Sequence, residues 1–455
     1  MPFPVDFIAF AKNFFSSEYD AFIASLHRQA PTSVRINPAK IQNRIIGKPV
    51  PWNAFAYYLD ERPSFTFDPL FHAGCYYVQE ASSVFLEQVF RQYIDKPVKM
   101  LDLCAAPGGK STHILSLLPE GSLLVSNEVI RSRVGVLFEN ISKWGYPNVI
   151  ITNNDAGDFK KLAGCFDVIL VDAPCSGEGM FRKDSEAINH WSLNNVALCA
   201  ERQRRILTDI WSCLKPGGLL IYSTCTYNIR ENEENVAWLT QTFDAEVLPL
   251  NIEQYHNIST PVHPNVYRFF PHKTEGEGFC LSVIRKKESK NEKIVRITKN
   301  KIKETSIPDI RDWLLTSDKF RYSIKNNIIT AFPSEYVSDF SFFDSELNVV
   351  SAGIAFAEVK GKSPSPTQSL AESLYINKAM FDLFEVDYKQ ALQYLKKETL
   401  VLPPETPKSH ILLTYKDIPL GFVKNIGNRA NNLYPHERRI RTQYLPGKEV
   451  NVILS

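Results

Sequence analysis

The sequence has no apolar run that approaches the roughly 20 residues needed to span a bilayer, and it has few cysteines. The N-terminal segment, MPFPVDFIAFAKNFF, lacks the basic start and the small-residue cleavage site of a secretory signal. Eight cysteines in 455 residues are too sparse for a disulfide scaffold. We therefore expect a cytoplasmic protein with reduced thiols and no membrane partner.

The sequence also has little net charge, because 52 Lys and Arg residues nearly balance 50 Asp and Glu residues and leave +2. Attraction of the whole molecule to a polyanion is therefore weak, and a nucleic-acid surface has to come from local basic patches. The segment at 285–304, RKKESKNEKIVRITKNKIKE, is one such patch. Its few apolar residues favour a solvated linker, and contact with phosphates is the alternative.

Apolar runs alternate with longer polar segments from about residue 97. The runs are VKMLDL, SLLVSN, NVIITN, FDVILVD and GLLIYST. This alternation predicts an α/β fold with a parallel, doubly wound sheet, to which AEVLPL and FCLSVIRK add an antiparallel pair. The segment KGKSPSPTQS at 360–369 predicts a loop between two small subdomains. The predicted division is an N-terminal extension at 1–95, a sheet domain at 96–286, a basic linker at 287–305, an intermediate subdomain at 306–365 and a C-terminal domain at 366–455.

A turn of small residues follows the first apolar run. The predicted strand ends at Asp102, and a helix is predicted to begin near Lys110. The residues of the turn are Cys104, Ala105, Ala106, Pro107, Gly108 and Gly109. Small residues let the backbone approach a ligand closely, and a helix N-terminus offers free N–H groups. A Walker A phosphate loop is the alternative, although Cys104 replaces its first glycine and Pro107 removes one N–H group.

Three acidic residues stand at or just after the ends of the next predicted strands, namely Glu128, Asp155 and Asp172. In an open α/β sheet the ligand binds outside the carboxyl ends of the strands. A carboxylate after the second strand is placed to accept hydrogen bonds from ribose, and one after the third is placed near an adenine edge. A single acid at such a position is more often a helix cap or a loop residue. Three of them behind a small-residue turn favour a cofactor that contains adenosine.

Two cysteines follow the fourth and fifth runs, Cys175 in VDAPCSGEG and Cys225 in YSTCTYN. In the usual doubly wound order these strands are neighbours, so both sulfurs should face the same crevice. Lys110, Arg182, Thr224 and Thr226 are the cations and donors that sequence proximity offers for activating a thiol. The remaining cysteines outside the turn are expected to be small buried residues, namely Cys75, Cys165, Cys199, Cys213 and Cys280. The spacing does not favour a metal site.

A thiolate, an adenosine cofactor and a nearby acid fit one reaction well. Sulfur adds to carbon 6 of a pyrimidine and makes carbon 5 nucleophilic enough to accept a methyl group, while the acid stabilises the adduct at the ring-nitrogen edge. A base then removes the proton at carbon 5, and the sulfur is eliminated. Spacing alone does not say which of the two thiols attacks.

The motifs CAAPGGK, DAPCSGEG followed by FRKD, and STCT together resemble the Nop/Sun family of RNA cytosine carbon-5 methyltransferases. NEVIRSRVGVLFENISKWGYPNV, YRFFPHKTEGEGFC, TSVRINP and YYVQEASS are similar to further elements of the family. The resemblance implies a Rossmann-like class I methyltransferase sheet behind an RNA-recruiting N-terminal extension. It also implies that S-adenosyl-L-methionine is bound by residues 104–110, Glu128, Asp155 and Asp172. In the same way it implies Cys225 as nucleophile, Cys175 as the group that assists product release, and Asp172 as a contact of the base.

The C-terminal region resembles, more loosely, the PUA-like α+β RNA-binding tail of a bacterial ribosomal branch of that family. Basic and aromatic residues mix in YKDIPLGFVKNIGNRANNLYPHERRIRT, and such mixtures suit phosphate attraction and base stacking. The predicted RNA contacts are Lys424, Arg429, Arg438, Arg439 and Arg441. A partly buried strand pair with a solvated face is the alternative. The resemblance suggests small-subunit ribosomal RNA, free or in an assembling subunit, as the substrate. A P-loop hydrolase and a non-catalytic RNA-binding assembly factor are the alternative functions.

Overall fold

The computed structural model describes residues 2–41, 47–288, 294–295, 297, 307–360 and 363–453. Most of the segment predicted as a basic linker, 287–305, lies outside these described residues. Within them, no helix combines the length and the apolar character needed to cross a bilayer.

The N-terminal region consists of four helices and a small antiparallel sheet. The helices are α1 (Val5–Phe15), α2 (Tyr19–Leu26), α3 (Pro69–His72) and α4 (Glu87–Tyr93). The strands are β1 (Thr32–Ile36), β2 (Lys48–Pro49), β3 (Ala56–Leu59) and β4 (Tyr76–Val78), in the order β2-β3-β1-β4. Asp68 begins α3 as its cap, because its carboxylate accepts a hydrogen bond from the Leu70 N–H at 2.9 Å.

The central region forms a large sheet with helices on both faces. Its strands are β5 (Lys99–Asp102), β6 (Leu123–Asn127), β7 (Val149–Thr152), β8 (Phe166–Asp172), β9 (Leu214–Thr224), β10 (Ala245–Leu248), β11 (Tyr267–Phe269) and β12 (Phe279–Lys286). Its helices are α5 (Gly109–Leu117), α6 (Arg131–Trp144), α7 (Ser185–His190), α8 (Leu193–Trp211) and α9 (Glu233–Thr242). The order is β10-β12-β9-β8-β5-β6-β7, and β5 to β9 are parallel. The parallel sheet and the antiparallel pairing of β10 with β12 are therefore confirmed.

The parallel strands are covered on both faces, which explains why their sequences are continuous apolar runs. Alternate residues of β5 enter different cores: Met100 packs in one with Ile114 of α5, and Leu101 packs in the other with Leu207 of α8. The strand order reverses at β5, whose neighbours are β6 and β8. The carboxyl ends of these strands therefore border the crevice in which such folds bind ligands.

The region between the linker and the C-terminal sheet contains β13 (Phe320–Lys325), β14 (Ile328–Pro333), α10 (Val337–Glu346), β15 (Val349–Ala352), β16 (Ile354–Lys360), β17 (Ser363–Pro366) and α11 (Gln368–Glu372). Four of these strands form a sheet in the order β13-β14-β16-β17. The fifth, β15, pairs antiparallel with β7 and extends the central sheet. The central sheet therefore includes one strand from outside the segment predicted as the sheet domain, 96–286.

The segment predicted as a loop, 360–369, includes residues 361 and 362, which lie outside the described residues. From residue 363 the loop prediction is wrong, because β17 pairs with β16 and α11 begins at Gln368. The prolines of this segment, Pro364 and Pro366, are accommodated because β17 is an edge strand, where a missing N–H breaks no ladder. The predicted boundary between 365 and 366 consequently falls inside a strand.

The C-terminal region consists of β18 (Asp382–Glu385), α12 (Tyr388–Leu395), β19 (His410–Tyr415), β20 (Ile418–Asn425) and β21 (Ala430–Asn432). Its sheet has the order β18-β19-β20-β21. This region shares a hydrophobic core with the N-terminal region, in which Tyr394 and Tyr434 pack with Phe67 and Tyr76. The first and last parts of the chain are thus packed together beside the central sheet.

Candidate active site

The turn between β5 and α5 is held in place by side chains of α6. Arg133 donates from Nη2 to the Ala106 carbonyl at 2.6 Å, and Asn140 donates from Nδ2 to the Pro107 carbonyl at 2.8 Å. Gly108 has φ +113°, a conformation that favours glycine. A Cβ atom at this position would lie 3.3 Å from the Asn140 Cβ. The small residues of the turn therefore allow it to pack closely against α6.

The N-terminal region also supports this turn, through Arg35 of β1. Its guanidinium donates from Nη2 to the Gly109 carbonyl at 3.2 Å and to the Thr112 Oγ1 at 2.7 Å, and from Nε to the Gln79 Oε1 at 2.8 Å. Arg35 is 1% exposed and lies over the Trp144 ring. Burial lowers the pKa of Arg35 to about 9, so the side chain is still charged at neutral pH. Arg35 thus fixes the first turn of the helix that follows the small-residue turn.

A buried acid lies beneath the turn. The Asp102 Oδ2 accepts from the Ser111 hydroxyl at 2.6 Å, whereas the Asp102 Oδ1 is buried without a hydrogen-bond partner. Burial raises the pKa of Asp102 to about 7. Its surroundings therefore favour the protonated acid more than those of an exposed carboxyl group.

The structure brings the three predicted acids to the same edge of the sheet, where they differ in burial and in hydrogen-bond partners. Glu128 is 3% exposed and accepts from the Ile130 N–H at 2.8 Å. Asp155 caps the short helix at 156–161 and pairs with Arg205, with 3.0 Å between its Oδ1 and Nη1. The hydrogen bond from Arg205 lowers the pKa of Asp155. Asp155 thus fills the helix-cap role that the sequence left open, and its contact with an adenine edge stays a prediction.

The third acid, Asp172, lies between the turn and the thiols. Its Oδ2 is 2.8 Å from the Lys110 Nζ, and its Oδ1 accepts from the Ser223 hydroxyl at 2.7 Å. Lys110 is the first residue after the turn, and Ser223 is two residues before Cys225. Asp172 therefore links the helix behind the turn to the strand that carries one thiol.

The two thiols are in contact, as the expected pairing of their strands requires. The Sγ atoms of Cys175 and Cys225 are 3.3 Å apart, and both residues are half-buried and unoxidised. The hydrogen bond with Cys225, followed by burial, raises the pKa of Cys175 well above its ordinary value. Cys175 is therefore held as a thiol at neutral pH. The five cysteines expected to be small buried residues are all buried.

The other candidates for activating a thiol have different partners. Arg182 donates to the carbonyls of Gln29 and Gly276, both at 2.7 Å. Thr224 donates to the Asn232 Oδ1 at 2.6 Å, and Thr226 lies 2.9 Å from the Ser176 hydroxyl. In the described residues these hydrogen bonds of the three side chains go to groups other than the thiols, because sequence proximity does not fix where a side chain points. In the described ranges, His, Cys, Asp and Glu side chains form no group of three that could hold a metal ion.

Comparison with known proteins identifies the family. Residues 94–285 match 16S rRNA methyltransferase RsmB/F, residues 3–81 the N-terminal domain of 16S rRNA methyltransferase RsmF, and residues 381–440 the methyltransferase RsmF PUA domain. Ribosomal RNA small subunit methyltransferase F of Enterobacter sp. (strain 638) is 31% identical, over 96% of this chain and 95% of that protein. The chain belongs to the RsmB/F family of 16S rRNA methyltransferases. The protein of the same name from Erwinia tasmaniensis is 28% identical and covers 93% of each chain.

Solved structures support this membership. A methyltransferase homologue from Pyrococcus horikoshii matches at 29% identity with a TM-score of 0.52, over 61% of this chain and 93% of that one. NSun6 from Pyrococcus horikoshii, crystallised with SFG, matches at 21% identity with a TM-score of 0.55, over 63% and 99% of the two chains, and shows the shared fold. The Nop/Sun resemblance and the Rossmann-like sheet are thus confirmed. RsmB/F proteins are S-adenosylmethionine-dependent RNA methyltransferases, and the phosphate-loop alternative is wrong.

One of the predicted RNA contacts does not fit the structure of this RsmB/F protein. Lys424, Arg429 and Arg441 are exposed, and Arg439 is half-buried. The Arg438 side chain is only 5% exposed and donates from Nη1 to both carboxylate oxygens of the buried Glu372, at 2.9 and 3.1 Å. Because its guanidinium is already paired inside the protein, the assignment of Arg438 as an RNA contact is wrong.

Several residues that shape the site were missed by the sequence analysis. Hydrogen bonds lead from Asn348, in the region after the linker, to the turn. The Asn348 carbonyl accepts from the Asn153 N–H at 3.0 Å, and the carbonyl of the adjacent Asn154 accepts from the Asn127 Nδ2 at 2.9 Å. The same Nδ2 donates to the Leu103 carbonyl at 3.0 Å. Glu178 and Glu231 connect the loops that carry the thiols. The signal for Glu178 lies within the motif DAPCSGEG, where only Asp172 and Cys175 were interpreted.

Gly108→Ala is expected to weaken binding of S-adenosyl-L-methionine by this RsmB/F protein. The new Cβ atom would contact Asn140 and Leu137 of α6, and a positive φ costs an alanine about 1–2 kcal/mol. The turn should therefore move away from its close packing. Titration calorimetry with the cofactor measures the effect, with Gly135→Ala as the control, because a Cβ atom there meets nothing within 4 Å. Equal affinities of the two variants would contradict this role of the turn.

Arg438→Ala is expected to lower the free energy of unfolding by about 3 kcal/mol, because it leaves a buried carboxylate unpaired. RNA affinity of the folded variant should stay close to the wild-type value. Lys424→Ala should behave in the opposite way, with unchanged stability and a shallower dependence of RNA affinity on salt. Chemical denaturation and filter binding at several salt concentrations distinguish these patterns. An Arg438→Ala variant of normal stability and weak RNA binding would restore the original assignment.

Proposed function

We propose that this protein transfers a methyl group from S-adenosyl-L-methionine to carbon 5 of a cytosine in small-subunit ribosomal RNA, through a covalent cysteine adduct. The observation that carries the proposal is the contact between Cys175 and Cys225 at 3.3 Å, beside the Lys110–Asp172 pair. A methyltransferase that acts on a nucleophilic atom needs no thiol. Paired thiols beside the methyl-donor site fit a target carbon that has to be activated covalently.

The cofactor contacts follow from the shape of the turn. Residues 104–110 provide backbone that a ligand can approach closely, and Glu128 and Asp155 stand at the next two strand ends. Glu128 is positioned for ribose hydroxyls, and Asp155 for the adenine edge. Asp172, which follows on β8, lies nearest the thiols. Bound S-adenosyl-L-methionine supplies an electrophilic methyl group.

Cys225 is the proposed nucleophile. Its sulfur forms a bond to carbon 6 of cytosine, and Asp172 holds the ring-nitrogen edge so that the charge of the adduct is stabilised. The assignment of the two roles follows from the Nop/Sun resemblance of the motifs STCT, which carries Cys225, and DAPCSGEG, which carries Cys175. After methylation, a base removes the proton at carbon 5, the electrons of that C–H bond form the double bond between carbons 5 and 6, and the bond between carbon 6 and sulfur breaks to return the Cys225 thiolate. Cys175 assists this release.

The RNA contacts proposed outside the crevice are Lys424, Arg429, Arg439 and Arg441. The first, second and fourth are exposed, and basic side chains on such a surface bind phosphates. The match of residues 381–440 to the RsmF PUA domain supports this surface, and the relatives named for the small ribosomal subunit support the substrate.

The activity is tested by incubating the protein with labelled S-adenosyl-L-methionine and ribosomal RNA from a strain that lacks its gene. Nucleoside mass spectrometry should find labelled 5-methylcytosine. Parallel reactions with naked 16S rRNA and with the small subunit identify which of the two is the substrate. Label on another base, or at another atom of cytosine, would overturn the proposal.

The roles of the thiols give a separate prediction. Cys175→Ala should accumulate a covalent protein–RNA adduct that survives denaturing electrophoresis, because attack is retained and release is slowed. Cys225→Ala should form no adduct. The reverse pattern would exchange the two roles. If both variants keep full activity in cells, the non-catalytic assembly function is correct instead.

A further inference from the structure

We propose that two buried glutamates, Glu178 and Glu231, are positioning residues that hold the two thiol loops against each other and so fix the contact between Cys175 and Cys225. The inference rests on the proposed function, in which the two thiols act in succession. Each glutamate belongs to the loop of one thiol and binds the backbone of the other.

Glu178 lies three residues after Cys175 and is completely buried. Its Oε2 accepts from the backbone N–H groups of Tyr227 and Asn228, at 2.6 and 2.9 Å, and both belong to the loop after Cys225. Its Oε1 accepts from the Trp191 Nε1 at 2.9 Å and from the Asn228 Nδ2 at 3.1 Å. Three of the four bonds attach the first loop to the second, and the fourth comes from Trp191.

Glu231 lies six residues after Cys225 and is also completely buried. Its Oε2 accepts from the backbone N–H of Ser176 at 3.0 Å, and its Oε1 accepts from the Ser176 hydroxyl. Gln203 and Asn228 donate to the same carboxylate from their side-chain amides, each at 2.7 Å. Ser176 directly follows Cys175, so Glu231 attaches the second loop to the first.

The two loops also meet at their backbones. The Gly179 N–H donates to the Cys225 carbonyl at 2.8 Å, and a Cβ atom at position 179 would lie 2.7 Å from that oxygen. The loops therefore approach too closely for a side chain at this point. The hydrogen bonds of the two carboxylates and the close contact at Gly179 together fix the distance between the two thiols.

Burying two carboxylates carries a large desolvation cost unless hydrogen bonds compensate it. Here every group that contacts them is a donor, and all but one are N–H groups. Glutamine in either position keeps the shape but turns an NH₂ group toward donors, so hydrogen bonds are lost without a cavity. Glu178→Gln and Glu231→Gln are therefore isosteric tests of the arrangement.

The two chemical steps depend differently on this spacing. Attack on carbon 6 requires Cys225 alone, whereas release requires Cys175 close to the adduct that Cys225 has formed. Looser loops should consequently slow release more than attack. Displacements near 1 Å can change such rates by about a hundredfold, so a change on the order of tenfold is measurable and expected.

The first measurement needs no RNA. Diamide, an azodicarboxamide oxidant, accepts two electrons and two protons from a pair of thiols and leaves a disulfide. The wild-type protein should form the Cys175–Cys225 disulfide rapidly, as measured by peptide mass spectrometry. Both glutamine variants should form it about tenfold more slowly. The second measurement is the fraction of protein in covalent adduct during turnover with RNA and S-adenosyl-L-methionine, which should rise in both variants.

Glu372→Gln is the matched control, because Glu372 is only 1% exposed and its partners, Arg438, Ser142 and Gln368, are remote in sequence from both thiol loops. It should lower the melting temperature while leaving the rate of disulfide formation and the adduct fraction unchanged. Ser176→Ala removes one donor to Glu231 and should give a smaller shift in the same direction, should a glutamine variant fail to fold.

The proposal is overturned if the glutamine variants oxidise at the wild-type rate, or if Glu372→Gln slows disulfide formation as much as they do at an equal loss of stability. Absence of 5-methylcytosine from the wild-type reaction would instead overturn the proposed function. The diamide experiment would still test whether the two glutamates fix the distance between the thiols.

Discussion

The contact between two sulfur atoms depends on a constraint imposed by the parallel sheet. Because β8 and β9 are neighbours and run in the same direction, the loops that follow them begin at the same edge. Loops at such an edge are polar and mobile by default, and strand pairing alone brings them near each other without fixing a distance of 3.3 Å. Buried carboxylates supply that precision. The chemistry thus depends on hydrogen bonds that cross from one thiol loop to the other.

The sequence was sufficient for the sheet, and for the pairing of the thiols, because both follow from patterns along the chain. Apolar runs mark buried parallel strands, and their order places Cys175 beside Cys225. Arg35 was not predictable in the same way. Its three hydrogen-bond partners lie 44 to 77 residues away in the chain, and an arginine in a strand reads as a surface residue. Arg438 shows the converse, since a basic residue in a basic segment proved to be a buried partner of Glu372.

The segment 360–369 shows a case in which proline residues wrongly predict a loop. Pro364 and Pro366 indicate a loop in most contexts, and an edge strand is the context in which they do not. Whether a strand lies at the edge depends on the assembled sheet, so it cannot be predicted from a short stretch of sequence. The same holds for β15, a strand of four residues that completes the central sheet from outside the predicted domain. Asn348, directly before β15, accepts from the Asn153 N–H and so supports the loop that carries Asp155.

The outer regions of the chain are therefore more than attachments for RNA. Arg35 of the N-terminal region holds the first turn of α5, and the same region shares its core with the C-terminal sheet through Tyr394 and Tyr434. Glu372 and Ser142 then join α11 to α6, the helix that anchors the small-residue turn. A displacement of the C-terminal surface has a continuous packed route to the small-residue turn. Such a continuous set of contacts permits coupling between RNA binding and cofactor affinity. The coupling is large only if the packed elements can adopt two alternative arrangements that the two ligands favour differently.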